Sequence, residues 1–134
     1  MEIINSIDSM KVLYALSEVY ISVHIFDLNN NSYEAIKSNR FIDMWEAEYE
    51  GAQEKFNNVV RNITAPEYLD KMLEFARFDT LNDRLGDKSS ISAVFEGKFN
   101  GLCRAMYIDV DRNPDMSLHH VIYVVECIDK NEER

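Results

Sequence analysis

An α+β domain with a five-stranded antiparallel sheet, helices against one face and an amphipathic helix at the N-terminus is the fold this sequence predicts. Three observations predict it. The 134 residues suffice for one compact domain and not two, because domains most often run roughly 100 to 150 residues. Hydrophobic residues make up 46% of the chain, with seven Phe and seven Tyr, which is enough to fill a core and argues against disorder. After a first helical stretch the hydrophobic period runs from two to 3.6 and back to two, which orders the chain as strands, helices and strands.

Each element has its own signal. Residues Asn5 to Glu18 place Ile7, Met10, Leu13 and Tyr14 on one side of a helix, with Asp8, Lys11 and Glu18 elsewhere. Tyr20 to Leu28 is β-branched and aromatic, Asn29-Asn30-Asn31 offers a turn, and Ser32 to Lys37 completes a hairpin. A short helix is expected near Asn39 to Trp45. A longer one follows, presenting Tyr49, Ala52, Phe56, Val59, Val60 and Ile63 on one face. Thr64-Ala65-Pro66-Glu67 has capping-box spacing with Pro in the first turn, so a further helix should start there and turn Tyr68, Leu69, Met72, Leu73 and Ala76 inward. Asp79 to Leu85 reads as a last helical turn stopped by Gly86. Strands then follow at Ile91 to Phe99, Leu102 to Asp111 and Leu118 to Ile128. Asn100-Gly101 suits a two-residue hairpin turn with positive φ at both positions, and the longer connection Arg112 to Ser117 contains Pro114.

The last strand is apolar on both sides, with Val121, Tyr123 and Val125 on one and Ile122 and Val124 on the other, as a central strand covered on both faces would be. The middle helices can cover only one face. The amphipathic N-terminal helix, or the same surface of a second copy, is the natural cover for the other, so a homodimer is expected.

Acidic residues outnumber basic ones 24 to 14, and the net charge of −10 repels phosphate backbones and anionic lipid head groups. Neither nucleic acid nor membrane is an expected partner. The longest apolar runs fall far short of the roughly 20 residues that span a bilayer, and no signal-peptide pattern opens the chain. Cys103 and Cys127 lack a CxxC or His-rich setting, which suits buried thiols in a reducing, cytoplasmic setting.

The order of two strands, a long helical section and three strands resembles the PAS fold, whose antiparallel sheet grips small ligands against those helices. More specific stretches are Phe78-Asp79-Thr80-Leu81-Asn82-Asp83-Arg84-Leu85, Gly101-Leu102-Cys103-Arg104-Ala105 and Val121 to Asp129. These resemble PAS modules found ahead of bacterial diguanylate cyclase (GGDEF) or sensor histidine kinase domains. The resemblance implies a sensor domain over residues 20–129, an N-terminal helix over 1–19 and the start of a connector at 130–134. It implies a signalling role without catalysis by this chain. Where PAS domains often end in Asp-Ile-Thr, this sequence departs, reading Cys127-Ile128-Asp129.

The resemblance also implies a ligand pocket between sheet and helices. With Cys127 in the place of the family's Asp, alternation sends Tyr123 and Val125 inward. By the same analogy His24 and Phe26 face in from the first strand, with Trp45 as a lid; these side chains either line a pocket or fill a closed core. The sequence names no cofactor. Cys103-Arg104 resembles part of the LOV flavin motif, but it follows a hairpin turn on a late strand rather than lying on a helix, and reads as a packed thiol. Nothing selects His24, His119 or His120 as a haem ligand. Asp109, Asp111, Asn113 and Asp115 have the rhythm of a calcium loop, yet Pro114 stands where Gly is required and His120 where the closing Glu belongs, so a solvated turn and no metal site is expected. No nucleophile, base or phosphate-loop motif is present. The alternative to a sensor is a small α+β isomerase using one buried carboxylate, for which Glu126 is the candidate base.

Overall fold

The computed structural model describes residues 21–38, 40–99 and 101–128. The N-terminal amphipathic segment, Asn100 and the charged C-terminal end lie outside the described residues. Strands β1 (Ser22–Asp27) and β2 (Ser32–Lys37) are followed by helices α1 (Arg40–Ala47) and α2 (Ala52–Ile63), a 3-10 turn at Pro66–Tyr68, and helices α3 (Leu69–Phe75) and α4 (Leu81–Leu85). Strands β3 (Ser90–Gly97), β4 (Gly101–Arg112) and β5 (Leu118–Cys127) complete the domain. The sheet is antiparallel in the order β2-β1-β5-β4-β3. The fold is therefore α+β and PAS-like, as its sequence implied.

The doubly apolar β5 is central, between β1 and β4. Val121, Tyr123 and Val125 join Phe26, Phe95, Cys103, Ala105 and Tyr107 in a core closed by Phe56, Val60, Met72, Leu81 and Leu85 from the helices. Val23, Ile25, Ile122 and Val124 form a second buried cluster on the opposite face, to which the described helices contribute nothing. Period-two alternation in β1 and β5 separates the two cores.

Local signals hold in part. Asn31 has φ 50°, as the β1–β2 turn requires, and Gly86 ends α4 at φ 57°. Tyr49 falls outside α2 and is exposed. Thr64 is no helix N-cap: it is the C-cap of α2 in extended conformation (φ −99°, ψ 132°), bridged to Gly97 on β3. Ala65 N–H donates to Glu96 and Lys98 N–H donates to Ile63, so sheet pairing captures the backbone that a capping box would use. Gly97 pairs with Gly101, which makes the β3–β4 turn three residues long rather than two, with Gly101 at φ 67°.

Candidate functional site

Beside the edge of the aromatic core, three polar side chains from three elements converge. His24 projects inward from β1 and is 5% exposed. Its Nε2 lies 3.3 Å from Oε2 of Glu46 on α1, and the Tyr33 hydroxyl on β2 donates to that same oxygen. The His24 contact is an ion-pair separation rather than a well-directed hydrogen bond, so the imidazole is held by proximity and packing. Burial favours the neutral form of Glu46, but the adjacent His24 imidazole and the hydrogen bond from Tyr33 outweigh it and hold the carboxyl below its ordinary value. Burial, and then the hydrogen bond to Glu46, pushes the Tyr33 phenol well above its ordinary value.

A cavity of about 20 Å³ lies next to this cluster, between β1, β5, α1 and α2, lined in part by His24, Tyr123, Val125, Ile42 and Glu46. That is room for roughly one water molecule. Glu46 also lines a cleft of about 190 Å³ with Tyr33, Ala35 and Lys55 on the outer side. An apolar groove of about 380 Å³ runs past α1 on Phe41, Ile42, Trp45, Ile63 and Phe99. Helix α1 is thus the wall between the interior and both outer openings, and Ile42 is its one buried residue.

The structure brings together His24, Tyr123 and Val125 around the cavity, while Phe26 stands one layer deeper. The Phe26 ring centroid is 5.0 to 5.8 Å from those of Tyr33, Phe56, Phe78 and Tyr123. Trp45 is placed differently from its anticipated role as a lid. On an α-helix residues 42 and 46 share a side, and these reach the cavity, Ile42 bordering the outer groove as well, whereas residues 41 and 45 line the outer groove alone. Glu46 and Tyr33 were missed in the sequence. Their only signal was position, since a carboxylate one residue after Trp45 and a Tyr opposite Phe26 in the hairpin acquire meaning only when α1 is docked.

The residues anticipated for other chemistry are dispersed. Glu126 points to the opposite side of β5 from Val125 and pairs with Arg104 at 2.8 Å, half-buried and away from the cavity. Cys103 is buried but Cys127 is exposed, correcting the reading of both as buried thiols. They are cross-strand partners on β4 and β5. Burial and the neighbouring Cys127 push the Cys103 thiol up to about 12. Asp109 bonds Arg112, Asp111 bonds His120, and Asp115 bonds Ser117, so the acidic run shows no convergent oxygen cage. No described helix is long and apolar enough to cross a membrane.

No protein-family model and no curated protein matches this chain. Among solved structures it is similar to a PAS domain from Bordetella pertussis BvgS, at 15% identity over 94% of this chain and 90% of that one, with a TM-score of 0.49. It is similar to a light-oxygen-voltage domain at 13% identity, over 91% and 87% of the two chains, with a TM-score of 0.48. A sensory box sensor histidine kinase from Vibrio cholerae aligns at 17% identity over 90% and 92%, with a TM-score of 0.45.

Proposed function

We propose that this chain is the sensory and dimerisation module of a cytoplasmic bacterial signalling protein, switched by a small molecule that enters between the sheet and α1. The observation that carries the reading is the cluster of buried His24 with half-buried Glu46 and Tyr33 beside a cavity lined by His24, Tyr123 and Val125. A partly enclosed polar cluster against aromatic walls suits a largely apolar ligand with one hydrogen-bonding end. The cavity is too small for such a ligand, so binding requires α1 to move outward, and with a single buried residue α1 is the least costly wall to displace. Outward movement separates Glu46 from His24 and is the switch.

In this reading residues 20–129 sense, the helix within 1–19 packs on Ile122 and Val124 of its own or a second subunit, and residues 130–134 lead to an output domain. A diguanylate cyclase is the preferred output and a histidine kinase the alternative; both rest on the sequence resemblance alone. Trp45 is the sole Trp and sits on α1, so its emission reports movement of that helix. Screening small apolar alcohols, phenols and acids by thermal shift and Trp45 fluorescence should yield ligands that stabilise the chain and change its emission. Glu46→Gln should alter their affinity and Glu126→Gln should not. Turnover of a ketone or enol by the purified chain, lost in Glu126→Gln, would overturn the reading in favour of an isomerase. Sedimentation equilibrium of the intact chain should show a dimer that Leu13→Glu weakens. A monomer at high micromolar concentration would leave the N-terminal segment a role only as a cap.

A further inference from the structure

Consecutive residues of a regular strand face opposite sides of the sheet, so the pair His119-His120 promises nothing in the sequence. The start of β5 is not regular. Leu118 and Val121 both point into the main core, although three residues apart they would face opposite sides of an unbroken strand. The register explains this: Arg112 of β4 pairs with Leu118 and Asp111 with His120, leaving His119 as the extra residue of a bulge. The bulge turns both imidazoles to the outer face, where their rings stack at 3.9 Å between centroids.

Asp27, the last residue of β1, lies directly across from His120 in the sheet register. Its Oδ1 is 3.3 Å from His119 Nε2 and its Oδ2 is 3.7 Å from His120 Nε2. Both separations exceed the roughly 2.7–2.9 Å of a charge-assisted hydrogen bond, so the carboxylate closes on neither ring. Four-coordinate bonds of about 2.0–2.2 Å set neighbouring ligand atoms roughly 3.3–3.6 Å apart. The His119 separation falls in that window and the His120 separation, to the other oxygen of Asp27, lies just beyond it, so a small rotation of the carboxylate brings one oxygen to both rings. The three ligand atoms all lie within 4.8 Å of one another.

The surrounding groups hold this arrangement in place. Asp111 Oδ1 is 2.9 Å from His120 Nδ1 and also accepts from the His120 backbone N–H at 3.0 Å. A carboxylate can only accept, so Nδ1 carries the proton, and in the neutral ring this leaves Nε2 with its lone pair on the side of Asp27. Such a carboxylate behind a metal-ligating histidine is a recurrent supporting feature of metal sites. Asp27 is fixed from its other side by the backbone N–H groups of Asn29 and Asn30 and by the Asn30 side-chain amide at 2.7 Å. All three ligands are half-buried, leaving the solvent side open for entry and for a water as fourth ligand.

We propose that Asp27, His119 and His120 bind a divalent transition ion of the zinc class, with Asp111 orienting His120. Two imidazoles and one carboxylate select zinc, nickel or copper over calcium and magnesium, which require mainly oxygen. The ion joins the end of β1 to β5 beside the β1–β2 turn, which Asn29 and Asn113 already tie to the β4–β5 loop through reciprocal amide bonds.

The test is calorimetric titration of the full chain, stripped with chelator, using zinc chloride. One equivalent should bind and raise the melting temperature, with calcium and magnesium inert at the same concentration. Asp27→Asn, His119→Gln and His120→Gln should each weaken zinc binding at least about tenfold, and Asp111→Asn roughly 10- to 100-fold. NMR of the unaltered protein should place the zinc-induced shifts on the His119 and His120 rings, a readout that holds even if a variant fails to fold. Cobalt substitution distinguishes the other donor set, because a thiolate charge-transfer band would assign the ion to Cys103 and Cys127. That band, unchanged affinity in folded Asp27 and histidine variants, or no one-to-one binding at tens of micromolar zinc would overturn the assignment.

Discussion

Glu46 on α1 reaches His24 on β1 across the wall of the domain, its Oε2 3.3 Å from the imidazole Nε2, and this contact ties the shortest-rooted helix to the sheet. The same oxygen accepts from Tyr33 on β2, so one carboxylate joins three elements. Replacing Glu46 by Gln should destabilise the chain by about 1–3 kcal/mol, because buried His24 and half-buried Tyr33 lose a charged partner. The pH dependence has a definite sign. Glu46 titrates below its ordinary value, so its contribution is complete above the unfolded carboxyl pKa and is lost as pH falls through the lowered folded value. Melting temperatures below about pH 5 should therefore fall less steeply in Glu46→Gln than in the parent chain. Parallel slopes would show that the cluster contributes nothing.

Phe26 sits among five aromatic rings, those of Tyr33, Phe56, Phe78, Tyr107 and Tyr123, and is 1% exposed. Phe26→Ala should cost about 3–5 kcal/mol in urea denaturation, through lost burial and a cavity the rigid rings cannot collapse into. Phe26→Leu should cost clearly less. Equal losses would mean that ring shape, not volume, sets the packing.

Thr64 distinguishes the two readings of its segment. A capping hydroxyl would make Thr64→Val destabilising by about 0.5–2 kcal/mol. In the structure the Thr64 Oγ1 is buried with no hydrogen-bond partner and its residue is an extended bridge to Gly97. Removing that oxygen at constant shape should leave stability unchanged or raise it by up to about 1 kcal/mol. Thermal denaturation of the single variant is sufficient to decide.

The two cysteines should differ in reactivity even though they are cross-strand partners. At mild alkaline pH iodoacetamide should modify the exposed Cys127, and Cys103 only after unfolding, as mass spectrometry of native and urea-treated samples would show. Cys103 also has an alkaline signature. Burial and Cys127 raise its thiol to about 12, so its contribution is complete below the unfolded thiol pKa and is lost as pH rises toward that value. Cys103→Ala should flatten the alkaline decline in stability, while native labelling of both thiols would show that the β4–β5 end opens readily.

The order of elements and the central position of β5 were determined by the sequence alone, because hydrophobic period and two-sided apolarity are local properties that need no knowledge of what packs where. That His24 shares a side of its strand with Phe26, and Tyr123 with Val125, was legible for the same reason, since alternation is set by the backbone; that this side faces inward was implied by the family resemblance. Tertiary structure decided what depends on two elements meeting. The docking angle of α1 decided that Ile42 and Glu46 face the cavity while Trp45 turns outward, which no periodicity in an eight-residue helix could specify. Pairing of Thr64 and Ala65 with β3 overrode a local capping signal, because sheet hydrogen bonds satisfied the same backbone groups. The bulge between β4 and β5 arises from strand register, a long-range property, and it alone puts His119 and His120 on one face beside Asp27.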